Sequence, residues 1–259
     1  MCRQLIFLHT DQIFDTKEHM ADKEQLRLIR LGVEVWNTWR LENPSIRIDL
    51  SGADLSGLEL SKIDLNGADL QDVNLDEANL VEAMLTGANL SESSLVEANL
   101  TGANLSQVNV SDADLLKVIL VQANLTRAHL AKTDFSEADL TETNLTEANL
   151  HLANFSGANL GNANFEGSKV REGCFVKAHL VCANLRHADL AQADMTKSNC
   201  EGANFERTSL LQVNFQEANL QSLQNATISQ LSKAHSLVKA QFDSQVMEAL
   251  IQKFPHLFH

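Results

Sequence analysis

From residue 50 to residue 220, every fifth residue is apolar. Leu fills 25 of these 35 central positions and Phe six; the others are Val110, Val170, Met195 and Cys200. Two residues before each centre the side chain is small or apolar, with Ala in 21 of 35 cases. Asp or Asn stands between them in 26 of 35. The two residues after a centre are polar or Gly in most pentads, as in Ser51-Gly52 and Asn66-Gly67. A period of five fits neither a helix, at 3.6, nor a strand, at 2. A helix would smear the leucines around its circumference, and a strand would alternate them between faces. The chain must turn at a fixed interval and aim the same two positions inward each time. One large and one small inward residue per segment packs in layers without voids. Asp and Asn bond their own backbone and tolerate turns, which predicts that they occupy the corners, with Gly relieving the position after.

Stretches such as ADLSG (53–57), ANLTG (98–102) and ANFSG (153–157) carry the pattern most fully. They resemble the pentapeptide-repeat family, and the match covers about two-thirds of the chain without a slip of register. The resemblance implies an all-β solenoid: a right-handed quadrilateral parallel β-helix with four pentads per coil. That coil of twenty can be tested on the residues. Phe135, Phe155, Phe175 and Phe215 share one class modulo twenty, with Met195 filling the gap and Leu55, Leu75, Leu95 and Leu115 preceding them. Phe165 and Phe205 share another class. Coils about 4.8 Å apart make almost nine coils into a rod of about 42 Å.

A solenoid leaves open ends that need atypical caps. The expected division is an N-terminal extension and helical cap over 1–47, the β-helix over 48–222 and a C-terminal helical cap over 223–259. One helix is predicted from Asp22 to Glu42. Asp22 and Gln25 resemble a capping box, Leu26, Ile29, Val33 and Trp36 share a face, and Pro44 ends the helix. The stretch WNTWRLENP (36–44) is similar to the helical cap of some bacterial members of the family. Thr227 with Gln230, and the segment from Ser244 to Phe254, predict a short and a longer helix at the other end. Val246, Ala249, Leu250 and Phe254 would cover the last coil. By resemblance to members that pair through this end, a homodimer is one expectation. Residues 1–19 fit no cap pattern, and Met20 is a second candidate start.

Composition narrows the function classes. Four cysteines in 259 residues are too few for a disulfide framework and fit a reducing compartment. The run Leu5-Ile6-Phe7-Leu8 is too short for a signal core or a membrane span, so a cytoplasmic location is expected. The chain has no Tyr and two Trp, residues that often anchor interfaces. A net charge of −14 argues against binding nucleic acid or an anionic membrane. Cys174, His179, Cys182 and His187 are metal-ligand types, but they hold different places in their pentads and do not converge on a tetrahedral site. No cofactor or metal is expected. Ser, Asp and His are plentiful, yet a convex rod without long loops offers no pocket to order a nucleophile. No Gly-rich phosphate loop precedes a helix. An enzyme is not expected.

Two surface features exceed the repeat's own demands. From Asp49 to Leu115 there are thirteen acidic residues and one basic residue, Lys62, for a net −12. From Leu116 to Leu220 the net is −3, from twelve acidic and nine basic residues. The acidic half is about 16 Å long, or one net charge per about 1.3 Å, against about 1.7 Å for duplex DNA. Some family members resemble DNA and bind type II topoisomerases such as DNA gyrase, so an acidic DNA mimic is one reading. Against it, these acids are spread over four faces, seven of them at or near corners, and no loop interrupts the repeat. The second feature is apolar. Leu116, Ile119 and Val121 take positions that normally face solvent. Val96 and Val176 share the class of Leu116, while Val81 and Val181 share that of Val121. A contiguous apolar patch marks a binding site more often than scattered residues do. These seven residues are the candidate surface for a protein partner, and a rigid interaction scaffold is the leading reading.

Overall fold

The computed structural model describes residues 21–259. The Leu5–Leu8 run, Cys2 and Met20 lie outside the described residues.

The chain coils with a period of twenty. Parallel single-residue bridges join Asp49 to Asp69, Asp54 to Asn74, Glu59 to Asn79 and Asp64 to Met84, and so on up to Asn204 with Gln224. No pairing extends into a longer strand, because each segment turns after five residues. Each pentad makes a turn bond of its own, such as Ala53 N to Leu50 O at 3.1 Å. Bonds between coils follow a fixed scheme: Leu55 N to Asn74 O, Gly57 N to Asp76 O and Asn74 N to Ala53 O, at 2.8–2.9 Å.

The corners lie elsewhere than predicted. Asp and Asn sit at the bridges, and the two residues after each centre make the turn. The Asp or Asn oxygen reaches forward to the corner: Ser56 N donates to Asp54 Oδ1 at 3.1 Å and Ser56 Oγ at 2.7 Å. Its amide also stacks along the rod, as Asn109 Nδ2 on Asn89 Oδ1 at 3.0 Å and Asn184 Nδ2 on Asn164 Oδ1 at 2.9 Å. The self-bonding that favours these residues is therefore real, and it acts from beside the corner. The second turn residue takes a positive φ at every pentad from 52 to 222, as a type II turn demands. Only eight of those 35 positions are Gly.

The core is a column of centres, all buried. Phe135, Phe155 and Phe175 stack face to face at 5.1 and 4.9 Å. Phe165 meets this ladder edge-on, 5.9 Å from Phe155 and 6.2 Å from Phe175. Where Thr replaces the inward Ala, its hydroxyl bonds a carbonyl of the preceding coil: Thr133 Oγ1 to Val110 O, Thr143 Oγ1 to Leu120 O and Thr208 Oγ1 to Leu185 O, each 2.7 Å.

The N-terminal cap is two helices rather than one: α1, Lys23–Arg30, and α2, Val33–Glu42. Gly32, at φ 112°, breaks them. Asp22 caps α1 by accepting from Glu24 N and Gln25 N. Gln25 does not close a capping box. Its amide pairs with the first coil as a strand would, donating to Arg47 O at 3.0 Å and accepting from Asp49 N at 2.8 Å. On the next face Asn37 does the same, donating to Lys62 O at 3.0 Å and accepting from Asp64 N at 2.9 Å, while Trp36 Nε1 donates to Asp64 O at 2.8 Å.

At the other end, Thr227 and Gln230 form a capping box for α3, Ile228–Leu231, and α4 runs over Ser244–Lys253. The segment after 222 is not only helical. Asn214 bridges Ser236 and Asn219 bridges Gln241, so coiling resumes with a slip of two residues. Leu237 and Phe242 act as buried centres there. The pentad Ala240-Gln241-Phe242-Asp243-Ser244 carries the motif in that shifted frame, with its centre two residues past a multiple of five. Among the described residues no helix is long and apolar enough to cross a membrane.

Candidate interaction surfaces

Since each face stacks at i and i+20, the seven candidate apolar residues can be placed. Val96 lies over Leu116, one coil apart, and Ile119 and Val121 follow on the adjoining face. These four fall within two coils of one another, with the exposed Lys117 between Leu116 and Ile119, and Ile119 is the most open at 38%. The others are not part of that strip. Thr101 separates Val81 from Val121. Val176 and Val181 lie three coils, or about 14 Å, beyond Leu116 and Val121, with Ser136, Ser156, Thr141 and Gly161 between. They form a second, smaller pair, in which Val181 is 36% exposed. The class modulo twenty picks the right face but says nothing of what fills the intervening coils. The strip is edged by charge: Lys117 pairs with Glu97 at 3.3 Å, and Gln122 Nε2 donates to Glu142 at 2.8 Å.

The acidic residues are less dispersed than the sequence reading has them. Asp54, Asp72, Asp76, Glu77, Glu92, Glu97, Asp112 and Asp114 all fall on the face spanned by residues 52–57, 72–77, 92–97 and 112–117. That is eight of the thirteen. Burial raises the Asp114 carboxyl above its ordinary value; the Leu116 amide opposes this, and Asp134 and Asp76 add to it. Lys132 closes the face by pairing with Asp112 at 3.1 Å.

Cys174, His179, Cys182 and His187 fall on four separate ladders around the coil. Cys182 is exposed and free. Cys174 Sγ lies 3.1 Å from Ser156 Oγ. Cys200 is a core centre, and its burial pushes the thiol up to about 12 against a weaker opposing bond from Ser198. Among the described residues no group of His, Cys, Asp and Glu is arranged to hold a metal ion.

Comparison with known proteins gives a consistent family. No curated protein matches the chain. Among solved structures, it is similar to HetL, a pentapeptide-repeat protein involved in heterocyst differentiation regulation from the cyanobacterium Nostoc sp. strain PCC 7120. The identity is 28%, over 79% of this chain and 92% of that one, with a TM-score of 0.41. It is also similar to full-length QnrB1, a plasmid-mediated fluoroquinolone resistance protein, at 15% identity over 77% of this chain and 96% of that one, with a TM-score of 0.42. Rfr23 from the cyanobacterium Cyanothece 51142 is 23% identical, over 58% of this chain and 91% of that one, with a TM-score of 0.27. The family model described as pentapeptide repeats matches in overlapping copies from residue 48 to residue 221; the chain belongs to the pentapeptide-repeat family.

Proposed function

We propose that this protein is a non-enzymatic scaffold, a right-handed four-sided rod that presents a rigid surface to a protein partner. One observation carries the reading: Val96, Leu116, Ile119 and Val121 cluster at outer positions within two coils of a rod whose outer positions are otherwise mostly polar. The repeat itself does not require apolar residues there, and covering them removes their area from water. The partner is a different protein or a second copy of the chain. The double variant Leu116→Glu, Ile119→Glu tests it, with affinity capture from the native host and sedimentation as readouts. The variant should keep its fold and lose the captured protein or the self-association. Unchanged capture and unchanged oligomeric state would remove the strip from consideration. A cytoplasmic location belongs to this proposal. Scarce cysteine favours it; fractionation of cells decides.

A second reading, an acidic DNA mimic acting on a type II topoisomerase, is favoured by the gathering of eight carboxylates on one face. A supercoiling assay with DNA gyrase separates the two. A mimic inhibits or protects at stoichiometric concentration, and a scaffold for another partner does neither.

A further inference from the structure

The rod has one gap in its stacking. Ser209 bridges back to Asp189, but no residue of the next coil bridges Ser209. On either side the pairing holds, with Asn204 on Gln224 and Asn214 on Ser236. Between them the chain leaves the coil to make α3. One coil earlier, the equivalent amides His187 N and Leu190 N donate to Glu206 O and Ser209 O at 2.9 and 3.1 Å, two carbonyls three residues apart. Arg207 N–H and Leu210 N–H find no such carbonyl among the described residues. The acceptors of this edge are satisfied: Gln230 Nε2 donates to Phe205 O at 2.9 Å and to Thr208 O at 3.0 Å. The edge is therefore left with donors only.

A cleft of about 760 Å³ opens at this gap, lined in part by Arg207, Leu211, Asn225, Thr227, Gln230 and Lys233. Leu211 is 49% exposed there. The Glu206 carboxylate is taken by Arg186 at 3.1 Å. Arg207 and Lys233 have no ion pair among the described residues, so the cleft's free charge is positive on a strongly acidic protein.

We propose that this cleft binds an acidic peptide segment of a protein partner, bent once as a pentad is and laid along the open edge in place of the missing pentad. Two carbonyls three residues apart would accept from Arg207 N and Leu210 N, as Glu206 and Ser209 serve the coil before. Carboxylates would meet the Arg207 guanidinium and the Lys233 ammonium, and an aliphatic side chain would cover Leu211. Strand addition of this kind draws affinity from main-chain bonds and specificity from side-chain contacts. The inference rests on the reading of the rod as a protein-binding module, and it names a second contact and the chemistry that contact prefers.

The test uses the full chain and a fluorescent ten-residue peptide of alternating aspartate, alanine and leucine. A matched peptide with lysine in place of aspartate is the control. The acidic peptide should bind and slow hydrogen exchange at the Arg207 and Leu210 amides. The lysine peptide, and the Arg207→Glu, Lys233→Glu variant, should each weaken binding by about tenfold or more. Thermal midpoints establish that the variant is folded, and Leu211→Glu, an exposed change, provides a second variant. The proposal is overturned if the acidic peptide fails to bind at millimolar concentration. Equal binding of the lysine peptide, undiminished binding by both variants, or unprotected amides would also overturn it. A host protein captured through the Leu116 strip while the peptide fails would remove the cleft alone and leave the scaffold reading standing.

Discussion

At the residue scale the repeat is governed by its corners. A left-handed φ costs an L-residue about 1–2 kcal/mol relative to Gly, yet 27 of the 35 corner positions carry a side chain. Their cost is offset by the bond that most corner amides complete with the next coil, Arg207 being an exception. Gly57 isolates the conformational part, because a Cβ added there would meet nothing within 4 Å. Gly57→Ala should lower unfolding free energy by about 1 kcal/mol in denaturant titration; no change would show that the corner relaxes. Asp114 points the other way. Its ladder neighbours are Ser94 and Asp134, and its carboxyl titrates high because burial disfavours the charge. The folded state holds that proton more tightly than the unfolded chain does. The associated stability is therefore full below the ordinary carboxylate value and is lost as pH rises through the raised one. Asp114→Asn should raise the thermal midpoint at pH 7 by about 1–3 °C and lose that advantage in acid. An equal gain at both pH values would rule out the charge as its source.

At the scale of elements, the caps work by imitation. Gln25 and Asn37 lend side-chain amides to the first coil in the positions where a preceding coil would lend backbone. This answers the open edge directly, where an apolar lid alone would leave Asp49 N and Asp64 N unpaired. Gln25→Ala should cost about 1–3 kcal/mol and speed hydrogen exchange at Asp49 well before the central coils. Uniform protection throughout would show that the cap acts by burial instead. The helix break at Gly32 and the role of Gln25 were not legible in the sequence. The spacing of Leu26, Ile29, Val33 and Trp36 suits one continuous helix, and only the coil beneath requires two short ones. The pairing beyond residue 222 was hidden for a simpler reason: α3 shifts the frame by two.

At the scale of the whole molecule, charge is the unusual burden. The first half of the rod carries a net −12, with eight carboxylates on one face. Neighbours one coil apart are separated by about 4.8 Å, well inside the screening length of about 10 Å at 0.1 M salt. Raising salt from about 0.01 to 0.15 M should therefore raise the thermal midpoint, since screening relieves repulsion over the acidic face. A fall would mean that the ion pairs between coils, such as Arg127 with Glu147 at 2.6 Å, outweigh that repulsion.

The sequence by itself determined the solenoid, its inward residues and its coil of twenty. These follow from a period that no helix or strand can satisfy and from a phenylalanine ladder that repeats at the coil. It also located the apolar run from Leu116 to Val121 and the acidic half. The tertiary structure decided what is contiguous. It joined Val96 to Leu116, separated Val176 and Val181 from them, and gathered most of the acids onto one face. It also opened the cleft beside Leu211. The physical reason is that a period assigns each residue to a face, whereas adjacency depends on what the intervening coils carry and on where the stacking stops.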